Sequence, residues 1–138
     1  MFHAKISEID AIVTSNFDQA PTVNYVNIYL ESIFLNLLSN ALKYRQHNLT
    51  PKIHFKTQSI NGNVVLKVSD NGLGINLKKY GHLIFKMRKT FHRHPDSRGI
   101  GLFMVKNQVD SMGGEITLES KENVGTTITI NFNKKTDG

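Results

Sequence analysis

Residues 52–70 read KIHFKTQSINGNVVLKVSD, and this stretch decides the class of fold. Ile53, Phe55 and Thr57 share one side of an extended chain, and Val64, Leu66 and Val68 one side of a second, because strand side chains alternate with a period of two. Between them INGN (60–63) supplies a hairpin turn, since Asn-Gly accepts the positive φ that tight turns need. The alternation returns in EITLES (115–120), with Ile116 and Leu118 on one face, and in TTITINF (126–132), with Ile128, Ile130 and Phe132 on one face. Strands apolar on one side belong to a sheet with one buried and one wet face, largely antiparallel, with helices over the buried face. The expected fold class is α+β, a two-layer α/β sandwich with a mostly antiparallel mixed sheet covered on one face by helices.

Two helices are available for the second layer. One runs from about Ile28 to Gln46, with Leu30, Ile33, Phe34, Leu37, Leu38 and Ala41 as its apolar stripe. Asn27 is placed to cap it, and Pro51 lies beyond its end. The other runs from about Gly99 to Met112, with Leu102, Val105, Val109 and Met112 as its stripe and Gly113-Gly114 to end it. Upstream, AIVTSNF (11–17) and TVNYV (22–26) are expected as strands, and residues 4–10 as a short helix or helix tail.

The chain has 138 residues, 39% of them hydrophobic and 20% charged, which fits one globular domain. It has no cysteine, which excludes disulfides and zinc–thiolate sites. No apolar run approaches the ~18 residues of a membrane span. The start, MFHAKISEID, has no apolar core of the kind a signal peptide carries, so a cytoplasmic location is expected. The net charge is +6, which favours an anionic partner without choosing one. Lys78, Lys79, Lys86, Arg88, Lys89, Arg93 and Arg98 cluster in one segment with a single acid, Asp96.

Polar residues stand out against this background. Asn36, Asn40, Lys43 and His47 fall on one line of the first helix at 3.6 residues per turn. They are either a solvated face or a functional one. Asn is a mediocre helix former, and its neutral oxygen suits a hard cation such as Mg²⁺. Asp70 shares the parity of Val64, Leu66 and Val68, so its carboxylate points to the buried face. It either starts a turn or accepts a hydrogen bond from a ligand, for which DNGLGI (70–75) lets a ligand approach the backbone closely. In SRGIGLFMVK (97–106) two glycines open a helix, which is either a flexible entry or an anion site at the positive end of the dipole.

Each motif is weak alone, but their order is specific. An N-x-x-x-N helix, LNLLSNALKY (35–44), precedes a strand ending in DNGLGI; the loop IFKMRKTF (84–91), the helix start RGIGL (98–102) and Gly125-Thr126-Thr127 follow. This resembles the ATP-binding catalytic domain of two-component sensor histidine kinases, the Bergerat fold of the GHKL superfamily shared with gyrase, mismatch-repair and chaperone ATPases. The likeness runs from about Ala11 to Phe132. It implies a tail of an upstream linker helix at 1–10, an ATP-binding domain at 11–133 and a C-terminal tail at 134–138.

The resemblance also implies roles. ATP and Mg²⁺ are the expected cofactors, with Asn40 as metal ligand, Asn36 its companion and Lys43 on phosphate; Tyr44 stacks near the adenine. Asp70 takes the adenine amine, Gly72 and Gly74 shape the pocket, and Ile75 lines the base. Phe85 belongs to the lid, Arg98, Gly99, Ile100, Gly101 and Leu102 to the phosphate loop, and Thr127 contacts the base. Two departures stand out. Ser97 sits where the family commonly has a glycine, with Arg98 after it where Ser or Thr is usual. No phosphoacceptor box is found, since His3 is followed by Ala4 and Lys5.

In the hydrolysing relatives a Glu at the place of Asn36 activates water. A neutral amide cannot be that base, which fits transfer to an imidazole that brings its own lone pair. The implied function is transfer of the γ-phosphate of Mg·ATP to a histidine on an upstream dimerisation and phosphoacceptor hairpin of the same protein, and from there to a response regulator. The isolated domain is expected to be a monomer that binds no nucleic acid. The alternatives are a serine kinase or nucleotide-binding regulator of the same fold and, from another class, a basic nucleic-acid-binding module.

Overall fold

The computed structural model describes residues 10–23, 27–80 and 98–132. The elements are β1 (Ile12–Asn16), α1 (Asn27–Lys43), β2 (Lys52–Ile60), β3 (Asn63–Asp70), α2 (Leu77–Tyr80), α3 (Arg98–Ser111), β4 (Glu115–Lys121) and β5 (Gly125–Asn131). The five strands form one sheet in the order β1-β2-β3-β5-β4. β1 runs parallel to β2 and every other neighbouring pair is antiparallel.

Local chemistry explains the joints. Asn61 (φ 52°) and Gly62 (φ 82°) make the β2–β3 turn in the left-handed region, which is the type I′ geometry that matches strand twist. At the end of α3, Gly113 adopts φ 83°. The Gly114 N–H donates to the Val109 carbonyl at 2.9 Å and the Gly113 N–H to that of Asp110 at 3.0 Å, the paired bonds of a Schellman end. α1 ends three residues before the expected Gln46, at Lys43. There Arg45 Nη1 donates to the Leu42 carbonyl at 2.7 Å, satisfying one of the acceptors a helix end exposes.

The core lies between the helices and one face of the sheet. Ile33 and Leu37 of α1 and Val105 and Val109 of α3 meet Ile53, Leu66 and Ile130 of the sheet, each of them 2% exposed or less. The opposite face is not uniformly wet. Val65 is buried although it points away from the helices, flanked in register by Gln58 and Asn131. The second expected strand, 22–26, is not formed at Thr22 and Val23, and 24–26 lie outside the described residues, as does 4–9 of the expected N-terminal helix. Thr22 and Val23 instead border an apolar cavity of about 310 Å³ with Phe17, Leu30, Phe34 and Phe132. No candidate site residue lines it.

Candidate functional site

The site forms where β3, the end of α1 and the β4–β5 turn converge. Asp70 ends β3 and stands in register with Ile53 of β2 and Thr126 of β5. All three therefore share the face beneath the helices. Asp70 Oδ1 accepts the Gly72 N–H at 2.8 Å, which turns the chain sharply after the strand.

Close approach then dictates the glycines. A Cβ on Gly72 would lie 2.8 Å from the Tyr44 carbonyl oxygen and 2.9 Å from Asp70 Oδ1. Gly74 has φ +71°, and a Cβ there would collide with the Lys121 carbonyl. Gly125 has φ +148°, and a Cβ there would collide with the Asp70 carbonyl. Only a residue without a side chain permits these contacts.

Hydrogen bonds lock the same junction. Leu73 N–H donates to the Tyr44 carbonyl at 2.9 Å, and Asn123 N–H to the Leu73 carbonyl at 2.7 Å. Ser120 Oγ accepts the Ile75 N–H at 2.8 Å and lies 3.1 Å from the Gly125 carbonyl and 2.8 Å from Thr126 Oγ1. Asn71, beside the aspartate, is structural: its Oδ1 accepts the Lys52 N–H at 2.9 Å and its Nδ2 donates to the Thr50 carbonyl at 3.0 Å.

α1 carries its polar line towards this junction, since Asn40 lies one turn before Tyr44 and its carbonyl accepts the Tyr44 N–H at 3.0 Å. Asn40 is 7% exposed, and its amide nitrogen has no hydrogen-bond partner among the described residues. A buried N–H donor left without an acceptor is costly, so an acceptor at this point, such as a phosphate oxygen, would relieve a cost the fold already bears. Asn36 is half-buried and points back along its own helix, donating to the Ser32 carbonyl at 2.9 Å and to Ser32 Oγ at 3.2 Å. Gln108 of α3 donates to the same hydroxyl at 3.0 Å, tying the two helices together beside the site. Lys43 is half-buried in the last turn of α1. The helix stops there, so His47 leaves the polar line and lies in a turn.

The remaining candidates divide. Tyr44 and Ile75 are each 1% exposed at the junction. Leu102 is also 1% exposed and belongs to the core cluster with Val105 and Val109. Arg98, Gly99, Ile100 and Gly101 open α3. Phe85 and the segment 81–97, with most of the basic cluster, lie outside the described residues.

The two threonines after Gly125 face opposite sides of the sheet. Thr127 stands in register with Ser69, and the two hydroxyls are 3.3 Å apart on the face turned away from the helices. Thr126, 4% exposed, is the threonine that shares the face of Asp70. Strand parity could have revealed this, because Ile128, Ile130 and Phe132 are buried and 126 has their parity. Ser120 has the same signal through Ile116 and Leu118. Gln46, which reaches the loop after Asp70, has no such signal.

The family model described as "Histidine kinase-, DNA gyrase B-, and HSP90-like ATPase" matches residues 26–136. The chain belongs to that family. Sensor protein RprX of Bacteroides fragilis is 28% identical over 133 residues, covering 94% of this chain and 26% of that protein. Cyanobacterial phytochrome A of Nostoc sp. is 30% identical over 125 residues, covering 89% of this chain and 16% of the relative. The chain thus spans about a quarter or less of these relatives. In architecture it is similar to the catalytic domain of histidine kinase ThkA, with a TM-score of 0.78 at 23% identity over 96% of this chain and 85% of the other. It is also similar to full-length ShkA in complex with AMPPNP, with a TM-score of 0.72 at 20% identity over 93% of this chain and 26% of the other. The five-stranded mixed sheet under two long helices is the histidine-kinase catalytic-domain fold. No helix among the described residues is long and apolar enough to cross a membrane.

Proposed function

We propose that this domain binds Mg·ATP and presents the γ-phosphate to a histidine on a separate phosphoacceptor hairpin, the phosphoryl group passing on to a response regulator. Residues 11–133 form the nucleotide-binding unit, which works as a monomer in the cytoplasm, with 1–10 as the linker into it and 134–138 as a tail.

Two observations carry this reading: Asp70, Gly72 and Thr126 converge from distant parts of the chain, and the buried amide nitrogen of Asn40, one turn before Tyr44 at that junction, has no partner among the described residues. Asp70 accepts from the exocyclic amine of the base, and Thr126 takes the contact expected of Thr127. Asn40, with Asn36 beside it, holds Mg²⁺, and Lys43 holds phosphate oxygens. When bound, Mg·ATP supplies the phosphoryl group and the metal's positive charge. The chain itself positions and neutralises, which is most of what phosphoryl transfer asks of a protein.

The absence of a carboxylate at position 36 favours an imidazole acceptor over water or serine. Asn36 is neutral and its amide is occupied by Ser32. Neither a hydroxyl nor water would find a proton acceptor there, whereas imidazole attacks with its own lone pair. The similarity to a kinase solved with AMPPNP supports a nucleotide in this cleft.

The test is incubation with labelled Mg·ATP, with and without an acceptor hairpin from a sensor kinase. Acid-labile label on the hairpin is expected, and acid-stable label would overturn the histidine assignment. Titration of Asp70→Asn should show ATP affinity lowered at least about tenfold, since an amide can face the base amine with its own N–H and a charged acceptor is lost. Equal affinity would refute the role of Asp70.

A further inference from the structure

Gln46 lies three residues beyond the end of α1 and is itself no candidate ligand contact, yet its side chain joins the loop after Asp70 to the β4–β5 turn. Its Nε2 is 3.2 Å from the Asn71 carbonyl, 3.0 Å from that of Gly72 and 3.1 Å from that of Asn123. The amide orientation follows from these neighbours, because the opposite flip would set an oxygen against three carbonyl oxygens. Two protons serve three acceptors, so one bond is shared.

The three carbonyls belong to two separate segments. Asn71 and Gly72 follow Asp70 directly, and Asn123 sits in the β4–β5 turn before Gly125 and Thr126. Gln46 itself is two residues after Tyr44. One side chain therefore fastens the segments that carry Tyr44, Asp70 and Thr126. The Leu73-to-Tyr44 and Asn123-to-Leu73 backbone bonds run through the same junction. Without the amide, carbonyls from two loops would face each other with only solvent to bridge them.

We infer that Gln46 is a positioning residue for the base end of the nucleotide pocket, holding the post-Asp70 loop and the β4–β5 turn at the spacing that adenine requires. This deepens the nucleotide reading and rests on it.

The experiment uses the full chain and Gln46→Met, which is neutral and of similar length but has no donor. Three quantities are measured: affinity for Mg·ATP, affinity for Mg·tripolyphosphate, and amide hydrogen exchange of Leu73 and Asn123 without ligand. The expected result is a loss of about three- to tenfold in ATP affinity, the scale of an ordinary hydrogen bond. Tripolyphosphate affinity should hold, and both amides should exchange faster. Unchanged ATP affinity would overturn the inference. So would equal losses for both ligands, which would mark a general loosening of the fold.

If Gln46→Met does not fold, Gln46→Lys replaces it, since an ammonium offers three donors to the three carbonyls. Wild-type exchange and adenine preference in that variant support the clamp; wild-type exchange with ATP affinity lost relative to tripolyphosphate overturns it. Failure of the wild type to bind Mg·ATP would sink the nucleotide reading, while the exchange rates would still report on the clamp.

Discussion

The threonine pair after Gly125 offers a sharp test, because neighbouring residues of one type face opposite sides of the sheet. Thr126→Val removes a hydroxyl 2.8 Å from Ser120 Oγ at a residue 4% exposed. Ser120 keeps the Ile75 N–H and the Gly125 carbonyl, so nothing is left fully orphaned. The stability cost is then that of one ordinary hydrogen bond, about 1 kcal/mol. With an unfolding entropy of roughly 2.1 cal/mol/K per residue, that lowers Tm of a domain this size by about 3–4 °C. If Thr126 also bonds the nucleotide, ATP affinity falls a further ~2- to 12-fold, the range set by 0.5–1.5 kcal/mol. Thr127→Val removes only a 3.3 Å contact to Ser69 on the far face. It should stay within about 0.5 kcal/mol of wild type in stability and leave affinity unchanged. Thermal melts and calorimetric titration of both variants suffice. Loss of affinity in Thr127→Val with none in Thr126→Val would refute the assignment of faces.

Two further predictions concern stability. Asn40→Leu replaces an amide whose buried nitrogen has no partner among the described residues by an apolar side chain of similar size; Tm should hold or rise, by up to the equivalent of ~1 kcal/mol, while Mg²⁺-dependent ATP binding is lost. A marked fall in Tm would make Asn40 a structural residue. Gly74→Ala meets both a positive φ and the Lys121 carbonyl, so urea unfolding should show a loss of about 3 kcal/mol or more. A midpoint near wild type would mean the loop is free to move away.

Much of the architecture is legible in short-range pattern. The two-residue period of 52–70 and 115–132 fixes which side chains face the helices, and the burial of Ile53, Phe55, Leu66 and Val68 follows it. Asn61-Gly62 and Gly113 are legible because few residues tolerate left-handed φ. Asp70 is legible by parity. Val65 is not, since its burial depends on cross-strand neighbours on the other face. The helix end at Lys43 is hidden as well, because the apolar stripe says nothing of the Arg45 guanidinium that captures a terminal carbonyl.

Local pattern was enough for the two long helices, the core-facing strands of 52–70 and 115–132 with their buried faces, and the motifs that bind Asp70, Gly72 and Asn40 into one family pattern. These depend on residues a few positions apart, where backbone sterics and side-chain period act. Tertiary structure alone decided that β5 lies between β3 and β4, that β1 joins β2 in parallel, that Thr126 rather than Thr127 meets Asp70's face, and that Gln46 reaches two loops at once. Those facts come from contacts between segments tens of residues apart, where packing and hydrogen-bond satisfaction across the whole sheet choose among arrangements that the local pattern leaves equal.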